Sequence, residues 1–294
     1  MDTPLVPGPV YALLTALAWS GAVILFKKSG DAIHPVGLNT FKNVLALPAL
    51  ALTWLVVGAP ASPTKSDVVI LLASGVLGIG VADTLFFHCL RILGASRTAI
   101  VECAYSPSVV VIAYVQLGET LTGLDALGAL LIVGAVLLTT ERKGTELARG
   151  HLVLGVAYGI AAVALMAFAI VWAKPVLAHY DVLWSTTIRM VGGVGSLLVL
   201  WVLSRDARAQ VRHAFTPQPA WRYALPGAFL GTYVSLLFWI AGFKYTAANI
   251  AALLNQTNTI LVVVWATLFL REPLTVRTSV AVVLACAGSV LVLI

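Results

Sequence analysis

The chain has little charge. Asp, Glu, Lys and Arg make up 10% of its 294 residues, against 60% apolar ones. A soluble domain carries about 25% charged residues, so this composition, with a mean hydropathy of +0.99, excludes an ordinary water-soluble fold. Cysteine is scarce too. Cys89, Cys103 and Cys286 all fall inside apolar runs, which excludes a disulfide framework and reads as buried free thiols. No Cys/His spacing suits a metal, and neither a zinc-protease motif nor a nucleophile elbow is present. An intramembrane enzyme is therefore disfavoured, and no cofactor is expected. The chain also lacks a nucleotide-binding motif, a filter-like glycine-rich loop and a ring of acids, which argues against ATP drive and against a channel. Its longest polar stretches, 141–150 and 205–222, are too short to fold as domains.

What the chain has in abundance is apolar runs of membrane-spanning length. A bilayer core about 30 Å thick needs ~20 apolar residues of helix, and runs of that kind recur at 9–28, 35–57, 68–90, 97–117, 122–140, 150–173, 182–204, 222–243, 246–270 and 274–294. Backbone in lipid must satisfy its own hydrogen bonds, so these runs are expected to be helices. The fold class expected is an all-α membrane protein of ten transmembrane helices, with a multi-pass location in a bacterial-type inner (plasma) membrane. No Lys or Arg occurs in the first eight residues and the first run is full length, so no cleavable signal is expected.

The net charge of +6 comes from Lys and Arg concentrated in loops, which reads as membrane topology rather than nucleic-acid binding. Odd-numbered loops hold nearly all of it, including the clusters Arg142, Lys143, Arg149 and Arg205, Arg208, Arg212. The positive-inside rule then places the odd loops in the cytoplasm and both termini outside.

The two halves repeat one another. A shift of 153 residues lays Gly78 on Gly231, Ala95 on Ala248, and Glu119-Thr120-Leu121-Thr122 on Glu272-Pro273-Leu274-Thr275; nearer the start of each half, a shift of 147 lays Lys42 on Arg189. The expected division is a five-helix repeat over 1–146 and a second over 147–294. An odd number of spans inverts the second copy in the membrane, the arrangement that suits alternating access around a midplane site.

Leu117-Gly118-Glu119-Thr120-Leu121-Thr122, its partner Leu270-Arg271-Glu272-Pro273-Leu274-Thr275, Ala18-Trp19-Ser20, and the Lys42 and Arg189 positions together resemble the drug/metabolite transporter superfamily, in its ten-span EamA type. The likeness runs over the whole chain. It departs from the family at Ile260, where relatives often carry proline, and in its charge bias, since many relatives are drawn with termini inside. The resemblance implies a secondary carrier of small metabolites, often amino acids, choline-like cations or drugs.

Charged side chains in lipid usually face a cavity or a partner. Two acids lie well inside spans, Asp83 and Glu102. A carboxyl exposed alternately to two aqueous sides can carry protons, so both are candidate proton-coupling groups; pairing with Lys42, Arg91 or His88 is the structural alternative. The 153 shift lays Glu102 on Asn255 and Tyr105 on Asn258, making one depth polar in both halves. Five consecutive polar residues, Asn255 to Thr259, wrap more than a helical turn, so some must face an aqueous cavity. Trp19, Tyr158, Tyr233 and Trp239 lie deep enough to wall it, and Trp19 and Tyr105 match cavity positions of similar carriers. The candidate substrate-binding set is Trp19, Asp83, Glu102, Tyr105, Tyr158, Tyr233, Trp239, Asn255 and Asn258, with no catalytic residue and no metal site. Lys42 and Arg189 read first as structural, with carboxylate or phosphate binding as the alternative. Glu119 and Glu272 read as caps of the fifth and tenth helices.

The function expected is export of small amphipathic metabolites such as neutral or aromatic amino acids, by rocking of the halves around a site between spans one, three, four, six, eight and nine. An organic-cation, drug or choline-like carrier with an intramembrane acid as counter-ion is the alternative, and a lipid or lipid-linked flippase the alternative of another class. The partners expected are the small-molecule substrate, the lipid bilayer and protons, with no nucleic acid, in a monomer or homodimer.

Overall fold

A computed structural model describes residues 6–58, 61–117, 123–140, 149–246, 251 and 254–293. The Glu119-Thr120-Leu121-Thr122 turn, the polar run with Arg142 and Lys143, and much of the opening of the ninth span lie outside the described residues. Eleven helices follow in order: α1 (Gly8–Gly30), α2 (Pro35–Val57), α3 (Lys65–Leu93), α4 (Ala95–Gln116), α5 (Gly123–Thr140), α6 (Arg149–His179), α7 (Val182–Leu203), α8 (Arg205–Phe215), α9 (Trp221–Tyr245), α10 (Thr257–Leu270) and α11 (Val276–Leu293). No strand occurs among the described residues. Among the described residues, seven helices are long and apolar enough to cross a bilayer: α1 to α4, α6, α7 and α9. Shorter apolar stretches, Ala126–Leu138, Thr257–Leu270 and Val276–Leu291, fall in α5, α10 and α11.

Sequence punctuation sets the helix ends. Pro35 opens α2, where its missing N–H costs nothing. Thr64 and Asp67 form a reciprocal capping box on α3. The Asp181 carboxylate accepts the backbone N–H groups of Leu183 and Trp184 at 3.0 and 3.1 Å to start α7. Gly94, at φ +83°, turns α3 into α4 in a conformation that glycine adopts without strain. The 205–222 stretch is not plain loop: Ser204 caps α8, whose Ala207, Val211 and Ala214 are buried, and Phe215 packs on Phe41 of α2.

The packing couples one half to the other. Among the most extensive helix pairings are α5 with α11, α1 with α9, α3 with α6, and α2 with α7. Small residues permit the close crossings. A Cβ at Gly75 would land on the Arg189 carbonyl, and one at Gly192 on the Leu72 carbonyl, so α3 and α7 touch backbone to backbone. Gly159 lies similarly against Val101 and Cys89. Gly195 is different: no atom lies within 4 Å of its Cβ position, so it makes no such contact. Lipid-facing positions are apolar, as at Leu52, Val115, Leu130, Leu203, Leu268 and Val283, all exposed. The buried set includes Asn39, Lys42, Asn43, Asp83 and Arg189. The exposed surface of the spans is apolar, unlike that of a soluble domain, and the interior holds these polar groups beside its apolar core. Cys89 and Cys103 are buried, but Cys286 is only half-buried.

Both halves interrupt one helix with a π segment at a similar place. α3 passes through a π segment at Val76–Ala82 and α9 through one at Ala228–Val234. A π turn shifts the i→i+4 ladder and alters which carbonyls it satisfies. In α3 the side-chain amide of Asn39 reaches the carbonyls of Ile79 at 2.9 Å and Gly80 at 3.2 Å. These bonds tie α2 to the π segment beside Asp83, and within α2 the Asn39 oxygen accepts from Asn43 at 2.8 Å.

Candidate functional site

A cavity of about 1050 Å³ of non-atom space, part of it open to solvent, lies between the halves. Helices α1, α2, α3, α4, α6, α7 and α9 line it, together with Asn255, Gln256 and Asn258 ahead of and at the start of α10. Binding cavities for small ligands mix apolar walls with a few polar groups. Here the apolar part comes from Trp19, Phe86, Met166 and Trp239, and the polar part from both halves.

The cations are the first polar feature. Lys42 sits at the eighth position of α2 and Arg189 at the eighth position of α7, at matching depths; their exposures are 2% and 1%. The Lys42 ammonium meets Asp83 Oδ2 at 2.6 Å, with Asn43 Oδ1 at 3.3 Å. Arg189 is held differently. Its Nη1 donates to Ser74 Oγ, which donates in turn to the Ala169 carbonyl at 2.6 Å. Its guanidinium lies 5.8 Å from the centre of the Trp239 ring. Its Nε and Nη2 have no hydrogen-bond partner among the described residues.

Breaks in two helices supply the second feature. α4 is interrupted by a turn at Cys103 and Ala104, with Pro107 just beyond. Residues 254–255 are helical and a turn at Gln256 separates them from α10. The 153 shift lays Cys103 on Gln256, so both breaks fall at one level, the second without a proline. Glu102 and Asn255 are the last residues before these breaks. Glu102 Oε2, both side-chain polar atoms of Asn255, the Tyr105 hydroxyl and Thr232 Oγ1 are buried without a partner among the described residues. Gln256 donates to Ser106 Oγ at 2.8 Å, and Trp19 lines the same cavity as Glu102. Buried polar groups are normally paired. Here several unpaired ones belong to residues that line a single cavity.

Of the nine residues expected in the site, Trp19, Asp83, Glu102, Tyr105, Trp239, Asn255 and Asn258 line this cavity. Tyr158 and Tyr233 do not. Tyr158 packs on the His88 ring at 5.1 Å, and His88 packs on His34 at 5.3 Å. The Tyr233 hydroxyl is 2.6 Å from Thr53 Oγ1 and its ring stacks on Phe229. Depth along a span set both residues apart in the sequence, but depth does not say which way a side chain points.

Spans two and seven lie outside the expected lining, yet they reach the cavity through Lys42, Asn43 and Arg189. Their matched cationic positions were the signal that could have found them. Glu272 is a correction of another kind. Its carboxylate oxygens accept the N–H groups of Ala95 and Ser96 at 2.8 and 2.9 Å, so it caps α4. The start of α11 is capped by Thr275, which accepts from Thr278 N at 3.1 Å.

The fold recurs among solved structures. Twenty-seven chains match significantly. One, described as "Crystal structure of protein", has a TM-score of 0.69 at 15% identity, covering 97% of this chain and 95% of its own. At that identity the likeness concerns the fold alone. No curated protein matches significantly. The sequence profile of the EamA-like transporter family matches twice, over residues 6–141 and 153–294, which together take in nearly the whole chain. This polytopic membrane protein, with a polar cavity between two family repeats, belongs to the EamA-like transporter family and is a transporter of small molecules, not an enzyme.

Proposed function

We propose that the protein is a secondary transporter that exports small amphipathic metabolites, with neutral or aromatic amino acids as the leading class. The observation that carries this reading is the cavity itself. Aromatic walls and buried, unpartnered polar atoms from both repeats converge at the breaks of α4 and the segment leading into α10. A ligand with an apolar body and a polar head matches that mixture, and half-helix ends beside a midplane site are a recurring transporter device. Two five-helix repeats, inverted relative to one another, would alternate by rocking around it. Glu102 is the candidate proton-coupling group, because Asp83 is engaged by Lys42 in this conformation.

An organic-cation carrier is the second reading. Glu102 Oε2 is unpartnered, and Trp19, Phe86 and Trp239 share its cavity, where cation–π attraction would assist. Arg189 on the same cavity weighs against it.

The test is a ligand panel on the purified full chain, read by thermal stability and then by counterflow in proteoliposomes. The panel holds amino acids, choline-like and aromatic cations, and phosphate esters. A ligand at 100 times its Kd stabilises the bound state by about 2.7 kcal/mol. Stabilisation and counterflow by amino acids, with efflux from preloaded cells, support export. Counterflow of cations alone replaces this reading with the second. Glu102→Gln is expected to flatten the pH dependence of transport; an unchanged profile removes Glu102 from coupling.

A further inference from the structure

Two charged groups of opposite sign line one cavity, and the fold pairs neither of them. The reason lies in how the repeats differ. In the first half Lys42 has Asp83. In the second half the position equivalent to Asp83, 153 residues on, is Leu236, so Arg189 inherits the cation but no acid. The reverse holds for Glu102, whose equivalent is the uncharged Asn255. Arg189 and Glu102 do not fill the gap for each other, since the ion pairs among the described residues are Lys42 with Asp83 and Lys27 with Asp31. Asp83 makes its contact with Lys42. The Arg189 Nε and Nη2 donors and the Glu102 Oε2 acceptor remain open in the same cavity.

We propose that Arg189 and Glu102 form a head-group clamp for a zwitterion, Arg189 taking the carboxylate and Glu102 the ammonium. The guanidinium fork suits a planar carboxylate through two parallel N–H donors. Ser74 occupies Nη1, which leaves the edge formed by Nε and Nη2 for the ligand. Trp239 beneath the guanidinium and Trp19 beside Glu102 then wall the ligand's apolar part. A ligand with both charges supplies the two partners that the protein withholds. A pure organic cation leaves Arg189 unpaired, and a pure anion leaves Glu102 unpaired. The clamp rests on the transporter reading and narrows its substrate to molecules carrying both groups.

The test needs three ligands of one shape: L-phenylalanine, phenethylamine, which lacks the carboxylate, and 3-phenylpropanoate, which lacks the ammonium. Their affinities are measured on the full chain in lipid nanodiscs, with L-leucine and L-tryptophan alongside to cover side-chain size. Hydrogen bonds to charged groups predict that the zwitterion binds roughly 10- to 100-fold tighter than either analogue. Arg189→Leu is expected to erase the advantage over phenethylamine only, and Glu102→Gln the advantage over 3-phenylpropanoate only. Should a variant fail to fold, the wild-type series still decides. Phenethylamine binding as tightly as L-phenylalanine overturns the clamp, and so do both gaps surviving both substitutions. If none of the amino acids binds while choline or a phosphate ester is carried, the clamp falls and the transporter reading stands. If nothing in the wider panel is carried, both fall.

Discussion

Breaking the Lys42–Asp83 pair tests how this membrane interior tolerates charge. The two groups meet at 2.6 Å and are almost wholly buried, with exposures of 2% and 8%. Removing one member leaves the other charge buried without its partner, which costs about 3–5 kcal/mol, whereas replacing both by apolar groups of similar volume is often neutral. The second repeat shows that the acid position accepts leucine, at Leu236. Asp83→Leu and Lys42→Met are therefore each expected to lower the apparent Tm by roughly 10 °C. The double variant should recover most of that loss. The readout is thermal unfolding of the four proteins in one detergent, arranged as a double-mutant cycle. A double variant at least as unstable as the sum of the singles would refute the reasoning, as would an Asp83→Leu protein melting with the wild type. In the second outcome Asp83 would be open to the cavity rather than held by Lys42, and its candidacy for proton coupling would revive.

Close packing of α3 on α7 predicts that Gly75→Ala and Gly192→Ala each destabilise the fold, by about 1–3 kcal/mol or more, because the added methyl meets a backbone carbonyl that cannot step aside. Gly195→Ala, with open space at its Cβ, is expected to be neutral or stabilising by up to about 1 kcal/mol, and the same melting assay separates the three. Glu272→Ala removes the acceptor for two N–H groups of α4 and is expected to cost about 0.5–2 kcal/mol; if only the α11 end loosens in hydrogen exchange, the cap has been misassigned.

Much of the architecture is legible in the sequence. Eight of the ten apolar runs correspond to described helices within a few residues; α6 continues past its run to His179, and the run at 246–270 corresponds to α10 and the described residues just before it. Span length is written in composition, because lipid forbids interruptions that water would tolerate. The duplicated polar depth was legible too, since Glu102 on Asn255 and Tyr105 on Asn258 are a property of the alignment alone. Helix α8 was not, because its pattern is polar and short, and it gains its apolar contact from α2 only after folding.

The sequence by itself determined a multi-span helical membrane protein of two similar halves, with acids and amides at one level and a family signature at the turns. Only the tertiary structure decided what those side chains meet. It turned Tyr158 and Tyr233 away, gave Asp83 to Lys42, sent Glu272 to α4, and left Arg189 and Glu102 open on one cavity. The physical reason is one of dimension. Hydropathy and helical spacing fix where a residue lies along its own helix, but partners in a packed bundle come from helices far off in sequence, and their approach depends on rotation and crossing angle.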